Sequence, residues 1–285
     1  MLSCEAVITD AHIHVQPWWE LKPAVLEVMT RGRSDVDELQ KIMKSPQHLL
    51  RRLDADGIER AVLVNYPSPD LMGFTHRVND YVAEYCAAAP DRLVPMGGVH
   101  PRFSEDAAAE VRRAAELGVK ALKIHPPHMQ VEPNAYVHGL DALRALYEEA
   151  QRLRLPVMIH TGTSIFPGAR SRMGEAMPVD DVAIDFPDLT IVIAHGGRPL
   201  WMEQAFFLVR RFPNVFMDVS SVPPRAIPRY FPRLGEIAHK VLYGSDWPAP
   251  GVRSMAQNLR EFRELDLPAE AFRAILEDNP ARVFA

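Results

Sequence analysis

The chain has 285 residues, of which 47 % are hydrophobic and 24 % are charged, as is usual for a globular protein with one sizeable core. A net charge of −5 without any run of Lys and Arg excludes the basic surface that nucleic-acid-binding and membrane-surface proteins present. We therefore expect neither nucleic acid nor a membrane as a partner.

The two cysteines, Cys4 and Cys86, do not form a CxxC pair, so a disulfide framework is not expected and the reducing cytoplasm is the predicted compartment. The first ten residues lack the positive and long apolar regions of a signal peptide. No apolar run approaches the ~18 residues that suggest a membrane span.

Short apolar runs, rich in Val, Ile and Leu and bounded by Gly, Pro, Asp or Asn, recur along the whole chain and predict eight strands. The predicted strands are Ala6–Thr9, Arg60–Asn65, Leu93–Gly97, Val119–Ile124, Pro156–His160, Leu189–Ala194, Asn214–Val219 and Lys240–Tyr243.

Stretches with helical spacing of apolar residues fill the gaps between these strands. They comprise His48–Ala55, a helix capped at Ser104 and ended by Gly118, Leu140–Leu153, Trp201–Arg211, Ser254–Leu265, and a closing helix over Glu277–Ala285 that Pro280 breaks near its start.

Eight strands that alternate with helices predict a parallel sheet covered by helices. We predict a closed (β/α)₈ TIM barrel that forms a single domain over residues 1–285. An open doubly wound sheet is the alternative, but no glycine-rich phosphate turn follows the first strand. Residues 15–44 interrupt the alternation, and we interpret them as an elaborated loop or small cap over the barrel mouth, or as an irregular surface excursion.

Polar residues follow the apolar runs at four strand ends, which is where barrels of this kind carry their active sites. Alternate residues of a strand point the same way, so His12 and His14 can approach one ion while Ile13 faces the helices. Imidazole nitrogen suits zinc, and a carboxylate supplies charge and a proton acceptor. The candidate ligands of one divalent ion, zinc first and manganese second, are His12, His14, His160 and Asp246.

Any one of these histidines could instead be a hydrogen-bonded structural residue, and it is their joint position at strand ends that favours a metal. The histidines assigned to the structural class are His48, His76, His128, His138 and His239. On the fourth strand, Lys123 and His125 alternate with apolar residues, so both should face the barrel interior.

Six motifs resemble those of the amidohydrolase superfamily, in the branch related to aminocarboxymuconate-semialdehyde decarboxylase. They span the chain from the first strand to its last residues: DAHIH at 10–14, GVKALKIHPP at 118–127, LPVMIHTG at 155–162, IVIAHGGRP at 191–199, YGSDWP at 243–248 and ILEDNPARVF at 275–284.

This resemblance implies that His12, His14, His160 and Asp246 bind the ion and that His195 lies beside the metal-bound water. A neutral imidazole there can take a proton or orient hydroxide, and Asp246 can carry a proton to the leaving group. The alternative, that His195 is itself a ligand of a metal, stays open. Lys123 is either a charged group near the site or a carboxylated lysine that bridges two metals.

The function we predict is metal-dependent hydrolysis of a small carboxylate-bearing substrate, such as a lactone, ester, amide or C–C bond. Non-oxidative decarboxylation of an aromatic or muconate-type acid is the first alternative, and a non-catalytic metal-binding barrel is the second. Assembly into a homo-oligomer is compatible with the sequence. The candidate substrate-binding residues are Arg170, Arg198, His125, Lys123 and Trp18, with Trp19 and Phe166 as further apolar walls.

Overall fold

Eight parallel strands pair in the order in which they follow along the chain, from β1 beside β2 to β7 beside β8. The computed structural model describes residues 7–285. The strands are β1 (Thr9–Ile13), β2 (Arg60–Val64), β3 (Leu93–Gly97), β4 (Ala121–Ile124), β5 (Val157–His160), β6 (Ile191–Ala194), β7 (Val215–Asp218) and β8 (Val241–Leu242).

Backbone hydrogen bonds between β1 and the segment after β8 close the sheet. Ala11 N donates to Tyr243 O at 2.9 Å, and His14 N donates to Trp247 O at 2.7 Å. In the opposite direction, Asp246 N donates to His12 O at 2.8 Å. The predicted (β/α)₈ TIM barrel is therefore confirmed, and closure places the two chain segments that carry the candidate ligands side by side.

Helices cover the outside of the barrel. They are α1 (Pro23–Thr30), α2 (Val36–Lys44), α3 (Pro46–Asp56), α4 (Val78–Cys86), α5 (Ala107–Glu116), α6 (Pro126–Met129), α7 (Asp141–Arg152), α8 (Val179–Asp185), α9 (Met202–Arg211), α10 (Ile227–Tyr230), α11 (Met255–Arg263), α12 (Ala269–Arg273) and α13 (Asn279–Val283). None of the described helices has the length and apolar character that a membrane crossing needs.

The strands are buried on both faces, which explains why they are near-continuous apolar runs. In β4, Ala121 belongs to the apolar cluster inside the barrel, whereas Leu122 and Ile124 belong to the larger cluster beneath the helices. The interior cluster contains Ala11, Val62, Val64, Val94, Met96, Ala121, Met158, Val192, Ala194, Phe216 and Leu242, together with Val283 and Phe284 near the chain end.

The predicted position of the first strand was wrong. The strand covers Thr9–Ile13 instead of Ala6–Thr9, and Ala6 lies outside the described residues, as does Cys4. The polar side chains of Asp10 and His12 resembled a strand terminus, but both are fully buried within the strand. A polar inner face at the barrel mouth accounts for the difference.

Two helix termini also differ from the predictions. Helix α5 is capped by Asp106, whose carboxylate accepts from Ala109 N at 2.8 Å, and not by Ser104. Pro280 does not break the closing helix near its start, because a π-helical turn over Ala274–Asp278 joins α12 to α13 and Pro280 lies in the first turn of α13. The π-helical turn accommodates the proline, which has no N–H to donate, and Ile275 O accepts from Tyr243 N at 3.3 Å instead.

Residues 15–44 contain a 3₁₀ turn at Trp18–Glu20 and the two helices α1 and α2. Gln16 and Met29 of this segment line the cavity at the mouth of the barrel. The segment therefore contributes directly to the walls of the cavity in which the candidate ligands lie.

Candidate metal centre and active site

His12 is oriented by a carboxylate at the end of β7. Its Nδ1 lies 2.8 Å from Asp218 Oδ2, and both side chains are fully buried. A carboxylate can only accept here, so Nδ1 carries the proton and Nε2 keeps its lone pair. His12 Nε2 is buried without a hydrogen-bond partner among residues 7–285.

His14 is held in the same tautomer by a backbone carbonyl. Its Nδ1 donates to Val64 O at 3.1 Å, at the end of β2. Its Nε2 lies 3.0 Å from Asp246 Oδ1, and His12 Nε2 lies 3.6 Å from the same oxygen. The lone pairs of two imidazoles and one carboxylate therefore converge on one point.

Three converging acceptors repel one another unless a positive charge lies among them. Imidazole nitrogens together with one carboxylate oxygen form the donor set that zinc and similar divalent ions prefer. The second ring nitrogens of His12 and His14 already donate to Asp218 and to a carbonyl, as metal-bound histidines usually do. These residues therefore fit a divalent ion.

His160, at the end of β5, faces the same cavity. Both of its ring nitrogens are buried and have no partner within the described chain, which is costly for a neutral ring unless a ligand supplies the missing contact. Its ring stacks on that of His125, with centroids 3.8 Å apart. His160 therefore has a nitrogen free to bind a group in the cavity, but it lies outside the set of His12, His195 and Asp246 whose ligand atoms are within 4.8 Å of one another.

His195 follows β6 and approaches the metal centre from the opposite side. Its Nδ1 lies 3.2 Å from Ser220 O and 2.8 Å from Ser220 Oγ. Because the carbonyl only accepts, Nδ1 carries the proton and Nε2 is left as an acceptor. One nitrogen of His12, one of His195 and one oxygen of Asp246 lie within 4.8 Å of one another, so the geometry allows both the proton-transfer role and the ligand role.

Asp246 is buried yet remains ionised. Burial opposes its negative charge, but the contacts with the His14 and His12 rings and the charge of Arg198 outweigh burial and lower the carboxyl pKa to about 2. Burial lowers the pKa of His195 well below its usual value, so the His195 ring is neutral.

The backbone is strained at the residues that face the site. His195 has a φ of 62°, Asp246 of 67° and Ser221 of 60°, all in the left-handed region that non-glycine residues rarely adopt. Such conformations cost roughly 1–3 kcal/mol each and cluster at functional sites. The rest of the fold therefore holds these side chains in place against a local cost.

Lys123 faces the barrel interior, as the alternation in β4 predicts. It is fully buried, and its Nζ has no hydrogen-bond partner in the described part of the chain. Burial lowers the pKa of its ammonium group to about 8, although the Asp218 and Asp246 carboxylates act in the opposite direction. The side chain lines the cavity together with His125, so Lys123 lies close to the metal centre.

Three polar residues of the site were missed by the sequence analysis: Asp10, Asp218 and Ser220. Asp10 Oδ1 accepts from His12 N at 3.1 Å and from Ser245 N at 2.9 Å, so it ties β1 to the segment that carries Asp246. Asp218 Oδ1 accepts from His195 N at 2.9 Å while Oδ2 orients His12. A polar residue that ends a buried strand was the available signal in Met217-Asp218-Val219.

We expect Asp218→Asn to weaken metal binding about 10–100-fold, because it removes the carboxylate that fixes the tautomer of His12. A competition titration with a chelator measures this affinity directly. Asp180→Asn is a suitable control, since Asp180 only pairs with the surface residue Arg211. Unchanged affinity in Asp218→Asn would show that His12 does not need this carboxylate to bind the ion.

The cavity around these residues has a volume of about 220 Å³, roughly that of seven liquid water molecules, and therefore accommodates a small molecule. Arg198 lines it, and Arg198 Nε is buried without a partner among the described residues. Apolar walls come from Met29, Tyr66, Met72, Ile165 and Phe166.

The other candidate substrate-binding residues lie elsewhere. Arg170 is exposed and does not line the cavity in the described chain, and Arg172 pairs with Glu132 at 3.4 Å on the surface. Trp18 is 4 % exposed and packs in the core, whereas Trp19 is 56 % exposed and contacts Tyr81. The structure thus brings Arg198, His125, Lys123 and Phe166 to the metal centre, but does not bring Arg170, Trp18 or Trp19 there.

A family model described as amidohydrolase matches residues 9–285. No curated protein matches the chain. Among solved structures, an uncharacterised TIM-barrel protein from Bordetella bronchiseptica is 22 % identical, with a TM-score of 0.77 and 97 % of each chain covered.

Two further solved structures carry named activities. A 5-carboxyvanillate decarboxylase from Novosphingobium aromaticivorans, complexed with manganese, is 18 % identical, with a TM-score of 0.66 and coverage of 97 % of this chain and 94 % of the other. A 4-oxalomesaconate hydratase from Rhodopseudomonas palustris is 20 % identical, with a TM-score of 0.65 and coverage of 97 % and 95 %. At these identities the likeness concerns the fold.

Proposed function

The chain belongs to the amidohydrolase family, and on this basis we propose that it is a metal-dependent hydrolase of small carboxylate-bearing substrates. The observation that carries this proposal is the tautomer of His195, whose Nδ1 proton is directed at Ser220 and whose Nε2 is therefore a proton acceptor beside Asp246. A hydrolase must take a proton from water, and a buried acceptor at this position meets that requirement.

We infer that His12, His14, His160 and Asp246 hold one divalent ion. When bound, such an ion polarises the scissile bond and lowers the pKa of a coordinated water to about 7. His195 Nε2 then accepts the proton of the attacking water. The hydrogen bonds of Ser220 and Asp218 keep the ring and backbone of His195 in place for this transfer.

Asp246 is suited to the second proton transfer. One of its carboxylate oxygens faces His12 and His14, and it lies close enough to His195 for both residues to reach one substrate. Because Asp246 is ionised, it can first accept the proton of the hydroxyl group that water adds to the substrate and then pass that same proton to the leaving group as the bond breaks.

The acidity of the substrate is inferred from two cations in the cavity. Arg198 forms no ion pair with the described residues and leaves its Nε unpartnered, and the Nζ of Lys123 is also unpartnered. The ammonium group of Lys123 is fully buried, and a buried cation without a partner is costly. Arg198 is half-buried, and its guanidinium can bind a carboxylate in bidentate form. The decarboxylase and the hydratase named above also act on carboxylic acids, which supports the same substrate class.

Decarboxylation of an aromatic or muconate-type acid is the second candidate. It is favoured by the activity of the solved decarboxylase with the same fold and by Lys123, whose ammonium group brings a proton donor into the cavity. A decarboxylase must protonate carbon after the carboxylate leaves, whereas the acceptor nitrogen of His195 suits the removal of a proton.

Mass spectrometry distinguishes the two reactions. The metal-loaded protein is incubated in ¹⁸O-labelled water with carboxylate-bearing lactones, esters and amides, and separately with aromatic and muconate-type acids. We expect products of the first group that contain labelled oxygen. Loss of carbon dioxide from the second group, without turnover of the first, would replace hydrolysis by decarboxylation.

We expect Arg198→Met to raise KM strongly, by about tenfold or more, for an acidic substrate and much less for its neutral ester or amide, because Arg198 would bind the carboxylate with charge-assisted hydrogen bonds. Steady-state kinetics on the matched acid and neutral compounds measure the difference. Arg170→Met is the matched control, since Arg170 is exposed outside the cavity. If Arg198→Met affects both compounds equally, Arg198 does not bind the substrate carboxylate.

A further inference from the structure

A chain of three hydrogen-bonded side chains lines the cavity and has no part in the mechanism above. Tyr66 Oη lies 2.9 Å from His128 Nδ1, and His128 Nε2 lies 2.8 Å from Ser164 Oγ. Tyr66 follows β2, His128 belongs to α6 and Ser164 lies in the loop after β5. All three line the same cavity as Asp246 and Arg198.

This chain has more protons than its own hydrogen bonds can use. Tyr66, a neutral His128 and Ser164 each carry one polar hydrogen, and two hydrogens suffice for the two bonds between them. If Tyr66 donates to His128, then His128 donates to Ser164 and the Ser164 hydroxyl is left over. In the reverse order the Tyr66 hydroxyl is left over, and a protonated His128 would leave both hydroxyls free.

The remaining hydrogen has no acceptor in the described protein. Tyr66 Oη has His128 as its single hydrogen-bond partner among residues 7–285, and Ser164 Oγ otherwise only accepts, from Phe166 N at 3.4 Å. Tyr66 and His128 are each 3 % exposed, whereas Ser164 is half-buried. A molecule that fills the cavity displaces the water to which the remaining hydrogen can donate, so that molecule should supply an acceptor in its place.

We propose that Tyr66, His128 and Ser164 form a second substrate subsite, which donates a hydrogen bond to a substrate carboxylate or carbonyl oxygen other than the carboxylate that Arg198 binds. This inference rests on the proposed function, in which Arg198 binds a first carboxylate. It narrows the substrate class from small carboxylate-bearing molecules to diacids and oxo- or amido-acids.

The chain can adapt its donor to the substrate. Reversing both internal hydrogen bonds requires the His128 proton to move between Nε2 and Nδ1 by exchange with water, while both hydroxyls rotate and keep their hydrogens. Ser164 is the more exposed of the two hydroxyls, so its removal should abolish the interaction, whereas loss of the Tyr66 hydroxyl leaves His128 donating to Ser164 and the Ser164 hydrogen free.

Calorimetric titration of the metal-loaded protein tests this subsite with defined probes. The probes are the diacids succinate, glutarate and adipate, their monoamides, and the monoacids butyrate, valerate and hexanoate. The three chain lengths cover different separations between Arg198 and the subsite. We expect wild type to bind the diacid or monoamide of one length about tenfold or more tightly than the matching monoacid, as a hydrogen bond to a charged acceptor allows.

Ser164→Ala and the double variant should lose this preference, Tyr66→Phe should keep most of it, and all three should retain monoacid binding. The double variant should lose no more than the larger single effect, since both hydroxyls belong to one chain. Ser171→Ala controls for the order of the loop, because the Ser171 hydroxyl only bonds to the Ser164 backbone. Tyr81→Phe controls for loss of a tyrosine hydroxyl outside the cavity.

Equal binding of diacids, monoamides and monoacids by wild type would overturn the subsite and leave the acidic substrate intact. A preference that survives Ser164→Ala, or that Ser171→Ala removes equally, would also overturn it. Additive effects in the double variant would contradict a shared chain. If no acid of any kind binds to wild type, the proposed function itself fails. The steady-state kinetics of Arg198→Met test that function independently.

Discussion

Purified wild-type protein should contain about one divalent ion per chain, and the variants His12→Ala and Asp246→Ala should contain close to none. Each substitution removes one of the acceptors that converge within 3.6 Å of Asp246 Oδ1 or removes that oxygen itself. Three of the four proposed ligands would remain, and we expect this incomplete set to bind the ion too weakly to retain it through purification. Elemental analysis of the purified proteins measures the ion and also separates zinc from manganese.

His76→Ala is the control for general effects of losing a histidine, because His76 is exposed and lies outside the cavity. Full activity of metal-free wild type would contradict the metal centre. Two ions per chain in wild type, reduced in Lys123→Met, would instead support a carboxylated Lys123 that bridges two metals.

The barrel was predictable because its strands are short apolar runs, buried on both faces, at a regular spacing between helices. The prediction failed at β1, where Asp10 and His12 are buried inside the strand. Burial of these polar groups depends on partners distant in sequence, such as Ser245 and Asp218. A local pattern contains no information on such partners.

The candidate site was predictable to the extent that its residues lie close to the carboxyl ends of strands. His12 lies one residue before the end of β1, whereas His14, His195 and Asp246 follow their strands, and the closed barrel brings them together. Asp218 also ends a strand, but it was overlooked because a single carboxylate within an apolar run gives no spacing to compare. Its role became visible only through its contacts with His12 and His195.

The two arginines show what could not be predicted from the sequence. Arg170 and Arg198 both lie in loops that follow strands at the barrel mouth, so both were candidates for substrate binding. Arg198 follows a turn at His195–Gly197 that directs it into the cavity, whereas Arg170 lies on an exposed loop whose backbone bonds to Pro127. Loop geometry of this kind depends on tertiary contacts.

His195→Asn should keep the metal and reduce kcat on the order of 10²-fold or more, as expected for loss of a positioned proton-transfer group. Asparagine can still donate to Ser220 from a position near that of Nδ1, but it has no nitrogen that accepts a proton in place of Nε2. Kinetics and elemental analysis are therefore measured on the same preparation.

The metal content decides between the two roles that the geometry allows. One ligand atom of His195 lies within 4.8 Å of one ligand atom each of His12 and Asp246. If His195 is a metal ligand, His195→Asn should lose the ion and the activity in parallel. A base role predicts a full complement of ion, low activity, and partial recovery when imidazole is added, because free imidazole can replace the missing acceptor. His138→Asn, at an exposed position outside the cavity, should change neither quantity.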